Sequence, residues 1–289
     1  MQAALRSALE RRLGSAVTRV EGVSGGDINQ AHRATLADDR VLFVKSRARA
    51  LPDLFAAEAH GLGWLAQAGA LRVPEVIATS DGEDGAPPFL VLEWIERSRP
   101  GRDHDERLGR GLAALHRYSA PSFGLDRDNY LATLPQANDA RPNWPTFYAE
   151  RRLETLLARA MQQGHASSAM RSGFARLLPR MTEACGPAEP PARLHGDLWG
   201  GNALCDEHGA PVLIDPAVYG GHREIDLAMM KLFGGFSSRC FSAYHEAYPL
   251  APGHEHRVAL YQLYPLLAHV CLFGGGYVSQ VERALSALI

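Results

Sequence analysis

Three polar residues that suit phosphoryl transfer lie close together in the second half of the sequence. Asp197 and Asn202 are five residues apart, and Asp215 directly follows the apolar run 212–214. Phosphoryl transfer requires a carboxylate near the attacking hydroxyl and oxygen ligands that hold Mg²⁺ against the phosphates. A loop carrying Asp197 and Asn202, followed by a short hairpin over residues 203–214 that leads to Asp215, supplies all three groups.

A surface hairpin with ordinary turn residues is the alternative interpretation of this stretch. It accounts for Asp206 and Gly209, which are typical turn residues. It does not account for Asp215, because the strand formed by the preceding Val-Leu-Ile is expected to be buried. The chemical interpretation therefore explains more of the stretch.

The elements that would position a nucleotide precede this loop. A glycine-containing turn at Gly25 and Gly26 separates the first two of three predicted strands, which cover residues 17–23, 30–36 and 41–44. The turn by itself is a weak signal, because most such triplets are simple hairpin turns. Two further strands are predicted at 73–78 and 89–92.

Lys45 ends the third predicted strand, where a buried ammonium is costly without a partner. Glu58 is the candidate partner, because it lies between Phe55 and Leu62 near the apolar face of a helix predicted over residues 54–65. An ion pair with Glu58 would direct Lys45 towards nucleotide phosphates. A solvated helix glutamate is the alternative.

The sequence around these polar groups is a compound motif. Residues 195–202 read His-Gly-Asp-Leu-Trp-Gly-Gly-Asn, and residues 215–229 contain Asp-Pro-Ala, Tyr-Gly, His-Arg-Glu and Asp-Leu-Ala-Met. This motif resembles that of the fructosamine/ketosamine 3-kinase family, in the aminoglycoside phosphotransferase-like branch of the protein-kinase-like fold. The resemblance extends over nearly the whole chain.

The resemblance implies an α+β, two-lobed protein-kinase-like fold. The N-lobe, residues 1–94, would be an antiparallel sheet with one main helix that binds the nucleotide. The C-lobe, residues 95–289, would be larger, mostly helical, and responsible for catalysis and acceptor binding. The hinge would lie at about residues 93–98, where the composition changes towards charged residues and proline.

The resemblance also implies ATP and Mg²⁺ as cofactors and gives the nucleotide-site residues their roles. Lys45, paired with Glu58, would contact the phosphates beneath the turn at Gly25 and Gly26. Asn202 and Asp215 would ligate the metal. The backbone of the hinge residues would face the adenine; these are Glu93, Trp94 and Ile95.

Asp197 would accept or orient the proton of the attacking sugar hydroxyl. An aspartate with an ordinary pKa near ~4 is a weak base at neutral pH, so its expected contribution is mostly orientation. Trp199 would stack on the sugar of the ketosamine. The alternative is that its side chain anchors the loop in the core. The loop 129–138, with Gln136 and Asn138, would lie on the acceptor side. Arg223, Glu224 and Asp226 are interpreted chiefly as a structural ion-pair cluster.

Composition limits the other functions. The net charge of −2 offers no general attraction for nucleic acid or a membrane surface. The uncharged stretch 258–281 is interrupted by proline and glycine, which favours a buried helix over a membrane span. Four widely spaced cysteines are typical of reduced thiols in a cytoplasmic protein. His245, His254 and His256 are expected on the surface rather than at a metal.

The leading interpretation is an ATP-dependent kinase that phosphorylates the sugar O3 of ketosamines, free or protein-bound. A kinase of aminoglycosides or choline is the first alternative. A nucleotide-binding regulator without turnover is the second alternative. It is disfavoured because the chain has all five polar groups expected of an active kinase: Lys45, Glu58, Asp197, Asn202 and Asp215. The oligomeric state is left open.

Overall fold

The computed structural model describes residues 3–23, 30–48, 51–82 and 85–289. Gly25 and Gly26 lie outside the described residues, so the glycine-containing turn over the phosphates stays a prediction.

Within the described residues, five antiparallel strands form one sheet: β1 (Val17–Gly22), β2 (Gln30–Leu36), β3 (Val41–Ser46), β4 (Val76–Ser80) and β5 (Phe89–Glu93). Their spatial order is β1–β2–β3–β5–β4. β3 continues past Val44, so Lys45 lies inside the strand rather than at its end. β4 begins later than predicted, because Pro74 lacks the N–H that a paired strand donates.

One helix covers each face of this sheet. Along β5, Phe89 and Val91 pack with α1 (Ala3–Leu13), whereas Leu90 and Leu92 pack with α2 (Leu54–Ala66). Lys45 lies opposite Leu90 in the β3–β5 register. Because directly opposed residues point to the same face of an antiparallel sheet, Lys45 is directed towards α2.

The rest of the chain is mostly helical. Its helices are α3 (His104–Tyr118), α4 (Trp144–Phe147), α5 (Glu154–Gln162), α6 (Ser168–Leu177), α7 (Met181–Ala184), α8 (Glu224–Phe233), α9 (Ser238–Ala247), α10 (His254–Phe273) and α11 (Tyr277–Ser286). A π-helical turn, Tyr148–Leu153, joins α4 to α5, and short 3₁₀ turns occur at Leu178–Arg180 and Gly200–Asn202.

Short antiparallel hairpins and pairs of strands lie between these helices and carry the polar motif. They are β6 (Asn129–Leu131) with β7 (Leu134–Gln136), β8 (Ala192–Leu194) with β11 (Tyr219–Gly221), and β9 (Ala203–Cys205) with β10 (Pro211–Leu213). The hairpin predicted over 203–214 is therefore present, one residue shorter at its end.

The uncharged stretch 258–281 lies in two helices rather than one, and each of them has a buried face. α10 ends before Gly274 and Gly275, whose φ angles of 61° and 55° are left-handed, and α11 follows. α10 supplies much of the largest apolar core, together with α5, α6 and the strand pair β8–β11. In the described parts of the chain, no helix has the length and apolar character to cross a membrane.

α2 belongs to two cores. Its residues Phe55 and Leu62 pack beneath the sheet, and Trp64 and Leu65 pack with α3 and with Leu213 next to the polar motif. A Cβ placed on Gly61 would lie 3.3 Å from Val218 Cγ2. Hence α2 is packed directly against the segment that follows Asp215, which brings the two sets of polar residues together.

Candidate active site

The loop that carries Asp197 lies between β8 and β9, and Asp226 in the first turn of α8 holds it. The fully buried Asp226 carboxylate accepts hydrogen bonds from the backbone N–H of His195 at 2.8 Å and of Gly196 at 2.9 Å. It also lies 3.2 Å from His116 Nε2. Burial would raise the pKa of Asp226, but the hydrogen bonds, led by that from His116, hold the pKa below its usual value.

His195 connects this loop to the turn at Asp215. Its Nε2 lies 2.9 Å from the carbonyl oxygen of Ile214, and its Nδ1 accepts the backbone N–H of Asp197 at 3.3 Å. Burial lowers the pKa of His195, which favours the neutral ring. A neutral imidazole donates through one nitrogen and accepts through the other, which fits both contacts. His195 is therefore a brace of the loop.

Gly196 is required where the loop meets the segment after Asp215. Its φ of 84° is left-handed, and a Cβ added there would lie 2.0 Å from the carbonyl oxygen of Ala217. Side chains other than hydrogen are thus excluded by both conformation and space. This close approach sets the distance between the two halves of the site.

Asn202 fixes the shape of the loop around Asp197. Its side-chain NH₂ donates to the Asp197 carbonyl oxygen at 2.8 Å and to Asp197 Oδ2 at 3.2 Å. The amide oxygen of Asn202 is left as the group that could ligate a cation. Burial, with a contribution from Asp215, raises the pKa of Asp197 to about 7. The ordinary value near ~4 assumed from the sequence is therefore wrong for this loop, because the folded chain encloses the carboxylate.

Asp215 meets the N-terminal sheet through Lys45. The Lys45 Nζ lies 2.7 Å from Glu58 Oε1 and 2.5 Å from Asp215 Oδ1. Burial lowers the pKa of Lys45, but the two carboxylates outweigh it and raise the pKa above its usual value. Burial, opposed by Lys45, raises the pKa of Glu58. Asp215 itself has a φ of 54°, a left-handed conformation that aspartate tolerates better than most residues.

The donor set at Asp215 fits Mg²⁺ that is shared with phosphates. The Lys45 ammonium against the Asp215 carboxylate shows that a cation is favourable there, and the Asn202 amide oxygen is of the hard type that could serve as a second ligand. Among the described residues, no group of three or more His, Cys, Asp or Glu side chains could hold a metal alone. Mg²⁺ typically takes one or two carboxylates and completes its shell with phosphate oxygens and water.

Trp199 projects from the loop into solvent. Its side chain is 43% exposed, so the alternative of a core anchor is excluded by the structure. The indole lies over Gly201, where an added Cβ would be 2.3 Å from Trp199 Cη2. An exposed, supported indole two residues after Asp197 can stack on a ligand without repacking the core.

The three residues predicted to line the hinge are Glu93, Trp94 and Ile95. They lie at the end of β5 and in the segment after it. Glu93 donates its backbone N–H to the Glu75 carbonyl oxygen at 2.9 Å, and Ile95 is buried. The Trp94 ring lies under the Arg33 guanidinium, 5.1 Å from its Cζ. Their contact with adenine stays a prediction.

The structural ion-pair role predicted for Arg223, Glu224 and Asp226 agrees with their contacts, although their partners come from elsewhere in the chain. Arg223 binds Glu189 at 2.7 Å, Glu224 binds Arg257 at 2.6 Å, and Asp226 faces His116.

The side chains of Gln136 and Asn138 are buried at 2% and 0% exposure, so neither is accessible to an acceptor. They form hydrogen bonds within the protein instead. The sequence signal that could have shown this for Gln136 is its position in a short β-hairpin, where alternate side chains point inward; Asn138 lies two residues beyond the hairpin.

The arrangement of an antiparallel sheet with a Lys–Glu pair, and a helical region with an Asp-bearing loop, defines the class of the protein. It is a protein-kinase-like phosphotransferase fold, and solved phosphotransferases only 16% and 13% identical to this chain share it with TM-scores of 0.65 and 0.64. The family is more specific. The profile of the fructosamine kinase family matches residues 1–289, and the chain belongs to this family.

Individual relatives agree with the profile. A probable ketoamine kinase of Enterococcus faecium is 39% identical over 268 residues, covering 92% of this chain and 94% of the relative. The chloroplastic protein-ribulosamine 3-kinase of Oryza sativa subsp. japonica is 36% identical over 266 residues, covering 91% and 76%. The crystal structure of a candidate fructosamine-3-kinase from Thermobifida fusca YX-ER1 is 40% identical, with a TM-score of 0.88 and 98% coverage of both chains.

Proposed function

We propose that this protein is an ATP-dependent kinase that transfers the terminal phosphoryl group to the sugar O3 of ketosamines. The observation that carries the proposal is the convergence of Lys45, Glu58 and Asp215, with Asp197 and Asn202 on the adjoining loop. The whole-chain match to the fructosamine kinase family supports the choice of acceptor. Relatives named for ketoamine and ribulosamine kinases support the same class of substrate.

The residues on the nucleotide side bind and orient ATP. In the proposed complex Lys45, held by Glu58, contacts the phosphates, and backbone groups of Glu93, Trp94 and Ile95 face the adenine. Asp215 and the Asn202 amide oxygen would hold Mg²⁺, which would neutralise phosphate charge. The Lys45 ammonium, which contacts Asp215 in this structure, would be available to the phosphates.

The residues on the acceptor side position the sugar. Asp197 accepts a hydrogen bond from the O3 hydroxyl. As O3 bonds to the terminal phosphorus and the P–O bond to the leaving ADP breaks, Asp197 receives the hydroxyl proton, late in a loose transition state. Trp199 stacks on the apolar face of the sugar and so decides which hydroxyl meets Asp197.

The boundary between the lobes is part of the proposal. We place nucleotide binding in residues 1–94, acceptor binding and catalysis in 95–289, and the hinge at about 93–98. The end of β5 at Glu93 supports this division. A cytoplasmic location remains a prediction that rests on the four free cysteines.

The test is an ATP-consumption assay with fructosamines, ribulosamines, choline and an aminoglycoside, combined with phosphorus NMR of the product. We expect turnover with ketosamines and phosphate on the sugar O3. Turnover with choline or the aminoglycoside but not with ketosamines would overturn the proposed acceptor and leave the kinase activity standing. Nucleotide binding without turnover on any acceptor would favour the interpretation as a nucleotide-binding regulator.

A further inference from the structure

A buried polar cluster lies behind the segment that follows Asp215. It consists of five side chains, each at most 5% exposed, from the β6–β7 hairpin, the segment just after it, the π-helical turn and α10: Asn129, Gln136, Asn138, Arg152 and Tyr264. Buried polar side chains are costly unless they are hydrogen-bonded, so a cluster of this size calls for a function.

The hydrogen bonds of the polar cluster converge on two carbonyl oxygens. Asn129 Nδ2 donates to the Val218 carbonyl oxygen at 2.8 Å, and Gln136 Nε2 donates to that of Ala217 at 3.2 Å. Gln136 Nε2 also donates to Asn129 Oδ1 at 2.7 Å, so the two amides orient each other. The targets are two and three residues after Asp215, whose left-handed backbone needs support from its surroundings.

The outer members of the cluster fix those two amides. The Tyr264 hydroxyl donates to Gln136 Oε1 at 2.6 Å, and Asn138 Nδ2 donates to Asn129 Oδ1 at 2.9 Å. Arg152 Nη2 donates to Asn138 Oδ1 at 2.7 Å. A primary amide whose oxygen and NH₂ both have partners cannot flip, so each NH₂ stays directed at the backbone.

Arg152 is the most unusual member. It is fully buried, and no ion pair of the described residues includes it. Its charge is compensated by the carbonyl oxygen of Ala137 at 2.7 Å and by the faces of Tyr219 and Phe147, with Cζ 3.9 Å and 4.7 Å from the ring centroids. Such a cation is costly to keep, which argues that its hold on Asn138 is needed.

The Ala217 carbonyl oxygen also contacts the loop that carries Asp197. A Cβ on Gly196 would lie 2.0 Å from it, and the Ala217 N–H donates to the His195 carbonyl oxygen at 2.9 Å. Ala217 is therefore held by Gln136 at its carbonyl oxygen and by the loop that bears Asp197 at its N–H. A shift of this residue would move Asp215 relative to Asp197.

We propose that Gln136, Asn129 and Tyr264 are positioning residues that set the place of Asp215 for Mg²⁺-nucleotide binding. This inference rests on the proposed function, in which Asp215 is a metal ligand. The cluster touches neither substrate, and it acts through the backbone of residues 217–218. Partners that orient a metal ligand typically contribute 10- to 100-fold to metal affinity or activity.

The test measures the affinity for ADP by calorimetry, with and without Mg²⁺, so that no turnover is needed. The gain in affinity on adding Mg²⁺ is compared for wild type, Gln136→Met, Tyr264→Phe and Asp215→Asn. We expect Tyr264→Phe to reduce this gain roughly tenfold and Gln136→Met to reduce it further. The affinity for ADP without Mg²⁺ should stay unchanged in both.

Tyr148→Phe is the matched control. Tyr148 is buried in the same core, and its hydroxyl donates to the Leu260 carbonyl oxygen at 2.8 Å rather than to a side chain of the polar cluster. It loses the same hydroxyl as Tyr264→Phe, so general destabilisation would affect both variants alike. We expect Tyr148→Phe to keep the full Mg²⁺ gain.

Three outcomes would overturn the inference, and each is distinguishable from the others. If Asp215→Asn loses the Mg²⁺ gain while Gln136→Met and Tyr264→Phe keep it, Asp215 is a ligand that needs no positioning. If Asp215→Asn keeps the gain, the metal role in the proposed function is itself wrong. An equal loss in Tyr264→Phe and Tyr148→Phe would show a merely structural cluster.

Discussion

Asp197 is the residue on which turnover is expected to depend most. Asp197→Asn removes the acceptor for the hydroxyl proton but preserves the shape of the side chain, and loss of a general base costs roughly 10²- to 10⁴-fold in rate. The fold should be unaffected, because burial already disfavours the charged carboxylate. The measurements are kcat and the thermal unfolding midpoint. A variant that keeps more than about a third of the wild-type kcat would remove Asp197 from this role.

Trp199 is expected to govern the acceptor rather than the nucleotide. Stacking on a sugar face contributes on the order of 1 kcal/mol, so Trp199→Ala should raise KM for a fructosamine several-fold and lower kcat. KM for ATP should change little. Met161→Ala is the control, since Met161 is similarly exposed, at 50%, but lies on α5. Unchanged kinetics with ketosamines in Trp199→Ala would exclude stacking on the substrate.

The contact between the loop that carries Asp197 and the segment after Asp215 joins the two halves of the site. Gly196→Ala adds a Cβ 2.0 Å from the Ala217 carbonyl oxygen at a left-handed φ, so the loop must move away. We expect a fall in kcat of at least tenfold and a lower unfolding midpoint, because backbone strain costs about 1–3 kcal/mol. Both are measured on purified protein by steady-state kinetics and thermal unfolding.

Gly63→Ala is the matched control for that substitution. Gly63 lies on the exposed side of α2, and an added Cβ there meets no atom within 4 Å. Alanine in a helix interior is favoured over glycine by up to about 1 kcal/mol. The control should therefore keep its activity and unfold at an equal or higher temperature. Normal kcat in Gly196→Ala would show that the loop tolerates displacement.

The stability of the whole molecule is expected to depend on pH through His222. Its side chain is 2% exposed and stacks on Tyr261, with ring centroids 5.2 Å apart. Burial lowers the pKa of His222 to about 4; Glu189 opposes this, whereas Arg257, Arg223 and His116 add to it. His222 Nδ1 accepts the Glu224 N–H at 3.3 Å, a contact that a protonated ring would lose.

The direction in which stability changes with pH follows from which state, folded or unfolded, binds the proton. Between pH 6.5 and 4 the unfolded chain protonates His222 and the folded protein does not, so stability falls as the pH falls. One such proton lowers the unfolding free energy by about 1.4 kcal/mol per pH unit. Denaturant unfolding across this range should show a smaller slope for His222→Gln than for wild type.

His208→Gln supplies the comparison for His222→Gln. The His208 side chain is 80% exposed, so it is in water before and after unfolding. The slope of this variant should equal that of wild type. Equal slopes in all three proteins would mean that His222 does not remain neutral in the folded state.

The sequence by itself determined the local elements and the class of chemistry. Strand alternation and helix periodicity report on neighbours a few residues apart, and they located the strands of the sheet, α2 and the hairpin before Asp215. The motif around Asp197 was sufficient to indicate the family, because its spacing is fixed within one loop and one hairpin.

Only the tertiary structure decided which distant residues meet. Lys45 and Asp215 are 170 residues apart, His116 and Asp226 are 110 apart, and Tyr264 reaches Gln136 across 128. The periodicity of one segment contains no information about such pairs, because they arise from how α2, α3 and α10 pack around the motif. The raised pKa of Asp197 likewise depends on the folded loop and on Asp215, since desolvation exists only once the chain has closed around the carboxylate.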